Sequence, residues 1–134
     1  KISGPLLDRI DIQLEVPRKK YKDLEQGTKG ETSKDIRTRV EKARLIQNKR
    51  LNKHGLVCNA QMAPRFVRKY CSLTEDAKEL IKMAFEQLAL SMRAHDRILK
   101  IARTIADLAE SPTIELPHLA EAIQYRILDR QKNF

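Results

Sequence analysis

Three observations predict an all-α fold for this chain of 134 residues. Apolar residues recur at helical spacing in successive windows between residues 33 and 127. Each window opens on a residue suited to a helix start, and two of them close at Gly55 and Pro112. One short segment alone, residues 10–16, alternates like a strand.

The elements follow in order. Ile10-Asp11-Ile12-Gln13-Leu14-Glu15-Val16 alternates apolar and polar and stops at Pro17, the pattern of a strand with one buried face. Nothing else in the chain offers it a partner, and a strand without a sheet is unstable alone. The segment is therefore expected to be a detached strand, and residues 1–32 to be poorly ordered in isolation. Residues 18–32, with Arg18-Lys19-Lys20, Gly27 and Gly30, read as a flexible linker. Ser33 is placed to N-cap a helix running to about His54, with Gly55 as its stop. The apolar positions of that helix, Ile36, Val40, Ala43, Ile46 and Leu51, are sparse. Pro64 suits the first turn of a short helix to about Tyr70. Thr74 opens the next, with Glu75 and Asp76 in the first turn, where the helix dipole favours acids. Ser91 opens a helix whose apolar positions are Ala94, Ile98, Ile101, Ala102, Ile105, Leu108 and Ala109, ended by Pro112. Pro117 opens the last, with Leu119, Ala122, Ile123 and Ile127 as its core positions. The sum is a bundle of four to five helices over residues 33–134.

Aromatic residues make up only 4%, so Leu, Ile and Ala must fill the core. The net charge of +9 is uneven. Residues 1–55 hold 15 Lys or Arg against 8 Asp or Glu, and residues 56–134 hold 12 against 10. That imbalance points to a polyanionic partner for the first half, with solubility as the alternative reason. Cys58 and Cys71 make no disulfide framework. No signal peptide and no apolar run near the ~20 residues of a membrane span is present. A cytoplasmic protein without membrane contact is expected. The chain begins in mid-pattern at Lys1, which predicts a fragment of something longer.

Arg93 carries the strongest functional signal. A cation in a helix's first turn opposes the dipole at a cost of roughly 0.3–1 kcal/mol, and the same place suits a phosphate. Arg97, Lys100 and Thr104 continue its face at helical spacing. An ordinary solvated face is the alternative. Arg9, between a polar turn and the alternating segment, is displayed as an arginine offered to an anion, or else pairs with Asp8 or Asp11. The helix 34–54 carries Lys34, Arg37, Arg39, Lys42, Arg44, Lys49, Arg50 and Lys53 against Asp35 and Glu41. Of these, Arg37, Lys42, Arg44, Lys49, Arg50 and Lys53 are the candidates for tracking a DNA backbone, a highly charged solvent face being the alternative. The scarcity of aromatics argues against single-strand binding by base stacking. His54, Cys58 and Cys71 lack the paired spacing of a zinc site, so no metal is expected. The P-loop pattern G-x-x-x-x-G-K-[ST] is absent, as is an acidic magnesium-binding segment.

Three segments together resemble the end of the AAA+ module of the magnesium-chelatase-like ATPases, in particular the ComM/YifB group. They are Ile2-Ser3-Gly4-Pro5-Leu6-Leu7-Asp8-Arg9-Ile10-Asp11-Ile12, Cys58-Asn59-Ala60-Gln61-Met62, and the run from Leu90 to Leu108, closed by His118 to Arg126. The resemblance implies that residues 1–17 end the AAA+ core, residues 18–32 link, and residues 33–134 form the helical lid. It implies that Arg9 is the arginine finger, acting on a neighbouring subunit's nucleotide. It implies that Arg93 is sensor 2, with Arg97 in support. ATP and magnesium would be held by the parent protein, not by this part alone. The partners implied are the other subunits of a homo-oligomeric ring and DNA, the parent being a DNA-processing motor that drives branch migration in DNA uptake or recombination. A chelatase-type motor subunit and a stand-alone basic DNA-binding module without ATPase activity are the alternatives.

Overall fold

The computed structural model describes residues 9–18 and 30–127. Among the described residues there are five α-helices: α1 (Ser33–Leu51), α2 (Pro64–Tyr70), α3 (Glu75–Gln87), α4 (Met92–Leu108) and α5 (Leu116–Ile127). Short 3-10 turns at Asn52–His54 and Asn59–Gln61 join α1 to α2. No sheet forms among the described residues. The architecture is the all-α C-terminal lid expected.

Thr32, one residue before Ser33, is the N-cap of α1. Its hydroxyl oxygen accepts from the Asp35 amide at 3.2 Å and donates to the Asp35 carboxylate at 2.5 Å. Ser33 is already helical. The helix buries only Ala43, Gln47 and Leu51, one residue per turn near its C-terminal end. Ile36 and Val40, expected as core positions, are each 42% exposed, and no residue from Ser33 to Val40 is buried among the described residues. Leu51 ends the α-helix, and Gly55 closes the following turn at φ +70°, a left-handed conformation that favours glycine.

Helix α4 is the hub. It packs on α1, α2, the 59–61 turn and α5, and α5 in turn packs on α3. The core is Leu, Ile, Ala and Met with few rings, centred on Leu51, Met62, Val67, Ile81, Ile98, Ala102, Ile114 and Leu119. Ser91 caps α4, its hydroxyl accepting from the Ala94 amide at 3.1 Å. At the other end a single parallel bridge pairs Leu73 with Ile114. There the Ile114 amide donates to the Ser72 carbonyl at 2.9 Å, and the Thr74 amide to the Ile114 carbonyl at 3.1 Å.

The buried face of α4 shares Ala94, Ile98 and Ala102 with the one its apolar spacing singles out, but not the rest. Ala94, Ile98, Leu99, Ala102, Arg103, Ala106 and Asp107 are buried. Ile101 and Ile105 are half-buried, and Leu108 is exposed. The helix is turned by about one residue so that a charged pair, Arg103 and Asp107, faces inward. Ile101, Ile105 and Leu108 instead wall a cavity.

The strand expected over residues 10–16 does not form. The segment is without a ladder, and its alternating apolar residues are exposed, from 37% at Ile10 to 86% at Val16. No described strand offers it an edge, so its backbone groups go to α5 instead. The Gln13 amide donates to the Tyr125 carbonyl at 3.0 Å, and the Arg126 guanidinium donates to the Ile10 carbonyl at 3.3 Å. Of the segments expected as core end and linker, residues 1–8 and 19–29 lie outside the described residues.

Candidate functional site

Ser91 starts α4, and Arg93 stands exposed in its first turn. No acidic side chain occupies that turn. Ser91 takes the Ala94 amide, and the other N–H groups of the first turn have no partner within the helix. One turn further on, the Arg97 guanidinium meets the Asp11 carboxylate at 3.1 Å. Lys100 donates to the Ala60 carbonyl at 3.2 Å. Thr104 accepts from the Asn59 amide at 3.1 Å and donates to the Lys100 carbonyl at 2.9 Å. The face predicted from spacing is thus real as a line, but its members differ. Arg93 is exposed, while Arg97, Lys100 and Thr104 are half-buried and hold other segments against α4.

Asp11 lies two residues after Arg9, and Arg97 four after Arg93. Their ion pair therefore sets the turn carrying Arg9 beside the first half of α4. Arg9 itself is exposed. Of its two expected partners, Asp11 is engaged by Arg97, and Asp8 lies outside the described residues. Between segment 11–14, α4 and α5 lies a cavity of about 440 Å³. Ile12, Leu14, Ile101, Ile105 and Leu108 supply its apolar wall, and Asp11, Arg97, Lys100, Thr104, Glu121 and Tyr125 its polar one.

Behind this face sits a polar network that sequence reasoning missed. The Asp107 carboxylate, fully buried, accepts from Arg50, from the Asn59 amide at 2.8 Å and from Arg103 Nε at 3.1 Å. Arg103, 1% exposed, also donates to the carbonyls of Pro112 and Ser111. Gln47 accepts from the Asn59 backbone amide at 3.3 Å. Burial pulls the Arg103 pKa below its ordinary value, and the Asp107 charge opposes that pull. The available signal was an Arg and an Asp four residues apart, interrupting an apolar helix face.

Against this geometry, the profile of the magnesium chelatase subunit ChlI C-terminal family matches residues 30–126. That span runs from just before α1 almost to the end of α5. The chain belongs to this family. As a magnesium chelatase C-terminal domain, it is 41% identical over 131 residues to competence protein ComM of Haemophilus influenzae. It is 40% identical over the same length to YifB of Salmonella typhimurium and of Escherichia coli. Each alignment covers 97% of this chain and 25% of the relative, so the chain spans about a quarter of the length of these relatives.

The six basic candidates, five on α1 and Lys53 in the turn after it, divide by direction. Arg37, Arg44, Lys49 and Lys53 are exposed. Lys42 is exposed but ion-paired with Glu110 at 3.3 Å. Arg50 turns inward to Asp107 and Asn59, with its side chain 16% exposed, so its charge belongs to the buried network. His54 Nε2 lies 2.7 Å from the Tyr70 hydroxyl, and Cys71 is in the core. Among the described residues no three His, Cys, Asp or Glu side chains converge to hold a metal. No described helix is long and apolar enough to cross a membrane.

Proposed function

We propose that this domain is the nucleotide-sensing lid of a ring-forming AAA+ ATPase of the ComM group, and that the parent protein is a DNA-processing motor. Arg93 is sensor 2: its guanidinium forks a terminal phosphate of the ATP bound by its own subunit, through charge-assisted hydrogen bonds. Arg9 is the finger, reaching a neighbouring subunit's phosphates, where such a charge is worth ~10³–10⁵ in rate in other nucleotide hydrolases. The residues present suit a phosphate and not magnesium. Asp11 is taken by Arg97, Asp96 lies beside His95, and no described carboxylate cluster is left for the ion. The magnesium and the phosphate cradle therefore belong to the part of the parent that carries a P-loop.

One observation carries the reading: an exposed arginine in the first turn of a capped helix, with no acid in that turn. There the cation is unfavourable until an anion arrives. Loss of the γ-phosphate would release Arg93 and let the lid angle change. Arg97 supports by fixing α4 against segment 9–18 through Asp11.

The test is ATP turnover by the full-length parent, with and without branched DNA, for wild type and Arg93→Ala. DNA-stimulated turnover that collapses in the variant, with the helical circular dichroism retained, is the expected result. Turnover that needs Arg93 but ignores DNA would leave an ATPase of chelatase type. Unchanged turnover would return Arg93 to a surface charge and favour the second reading, a basic binding module, for which the one-sided charge of α1 speaks.

A further inference from the structure

Residues 42–74 contain eight Lys or Arg and no Asp or Glu. The fold concentrates part of this acid-free stretch at one corner. The 52–54 turn lies against α2, and the His54 ring sits 4.5 Å from Phe66 and 5.9 Å from Tyr70. Phe66 and Tyr70 are themselves stacked at 6.3 Å with 22° between their planes. The Arg65 guanidinium lies over the Phe66 ring at 4.7 Å, and the Lys69 ammonium 5.4 Å from the Tyr70 ring. Lys53, Arg65, Arg68 and Lys69 are exposed, and none has an ion-pair partner among the described residues. The three rings are half-buried.

We propose that this corner, made of Lys53, His54, Arg65, Phe66, Lys69 and Tyr70, holds a single-stranded polynucleotide, its phosphates on the cations and its bases on the ring cluster. Cations bordering aromatic faces are the arrangement that single strands use, since every base has a face to stack and a backbone to neutralise. A duplex hides its base faces and would leave the rings without a role. An acidic peptide would use the charges and leave the rings idle in the same way. Arg65 adds a stacking plane of its own. Partial desolvation, then the charges of Lys53, Lys69 and Arg65, hold the His54 pKa below its ordinary value. At neutral pH this ring therefore offers a face more than a charge.

The contrast with the rest of α1 sharpens the location. In the N-terminal half, Arg39 pairs with Glu31 and Lys42 with Glu110, and Asp35 and Glu41 dilute the charge. The scarcity of aromatics in the sequence argued against base stacking. Yet two of the six Phe and Tyr residues meet a histidine at this one place. The inference extends the DNA half of the proposed function and does not depend on Arg93 or ATP.

The experiment is fluorescence anisotropy of a labelled oligo(dT) strand titrated with the protein, without nucleotide, across a salt series. Single-strand contacts contribute about 0.7 each to the slope of log affinity against log salt. Lys53→Ala with Lys69→Ala is expected to reduce that slope by about 1.4, and Lys34→Ala with Lys82→Ala, exposed lysines away from this corner, to leave it nearly unchanged. An abasic strand of the same length, which needs no change in the protein, is expected to bind at least about fivefold more weakly. Equal affinity for the abasic strand would overturn the stacking role. Equal slope loss in the two double variants would overturn the location. A poly-glutamate of matched charge that displaces oligo(dT) as well as unlabelled oligo(dT) does would overturn the choice of partner. Loss of ATP turnover in Arg93→Ala with unchanged strand binding separates the two readings.

Discussion

Replacing Asp107 by alanine is expected to cost this domain a large part of its stability. The carboxylate is fully buried and receives two guanidinium groups and one side-chain amide. Removing it leaves Arg103, 1% exposed, with only the carbonyls of residues 111 and 112. Breaking one side of a buried ion pair costs about 3–5 kcal/mol, since the remaining charge is stranded away from water. Arg50 is better placed to swing towards solvent, its side chain being 16% exposed, so it adds less. Asn59 keeps Thr104 as an acceptor. Set against a total of about 5–15 kcal/mol for a domain of this kind, the loss is about a fifth or more. The assay is urea unfolding followed by helical circular dichroism. With a slope of about 1–3 kcal/mol per molar urea, the midpoint falls by more than about 1 M. Glu31→Ala, which breaks an exposed pair with Arg39, is the control and costs less than about 1 kcal/mol. If Asp107→Ala costs no more than Glu31→Ala, the buried network does not hold the fold together and the reasoning fails. Arg103→Met combined with Asp107→Leu should recover part of the loss, because it removes the stranded charge rather than the packing.

Two further outcomes follow from single residues. Burial pushes the Cys71 thiol up to about 12 from an ordinary 9.0. Its folded form thus favours the protonated state, and the stability this contributes is complete below pH 9 and is lost as pH rises towards 12. Wild type should lose stability faster than Cys71→Ala between pH 9 and 11 in chemical unfolding, and parallel curves would refute the shift. Gly55→Ala places a Cβ in open space but at φ +70°, so backbone strain alone should cost about 1–2 kcal/mol in the same assay, and no loss would refute a requirement for glycine there.

The helices were legible because their starts are written in local chemistry. Pro64 sits in the first turn of α2, Thr74 precedes α3 and Ser91 caps α4, all as read from spacing and caps alone. The cap of α1 slipped to Thr32 because two adjacent hydroxyl residues compete and only one has an Asp three residues on. The rotation of α4 was not legible. Apolar spacing set Ile101, Ile105, Leu108 and Ala109 on the buried face with Ala94, Ile98 and Ala102, whereas Arg103 and Asp107, joined to Arg50, 53 residues upstream of Arg103, face inward in their stead. Sequence separation hides such a partner, and the same contact removed Arg50 from the candidates for DNA. The alternation of residues 10–16 was read correctly as a pattern, but a pattern becomes a strand only beside another edge. Arg93 kept the exposed place its position predicted, whereas the ring corner of His54, Phe66 and Tyr70 appears only once the chain is folded.

The bridge between Leu73 and Ile114 is small, yet it joins the entry of α3 to the entry of α5. Because α5 packs on both α3 and α4, that clasp closes a circuit of three helices around Ile114, which is itself fully buried. Peeling α5 away must open the clasp, and once open it no longer holds the start of α3. Amide exchange in α3, α4 and α5 should therefore share one free energy of opening, while the first turns of α1, with no buried residue, exchange far sooner.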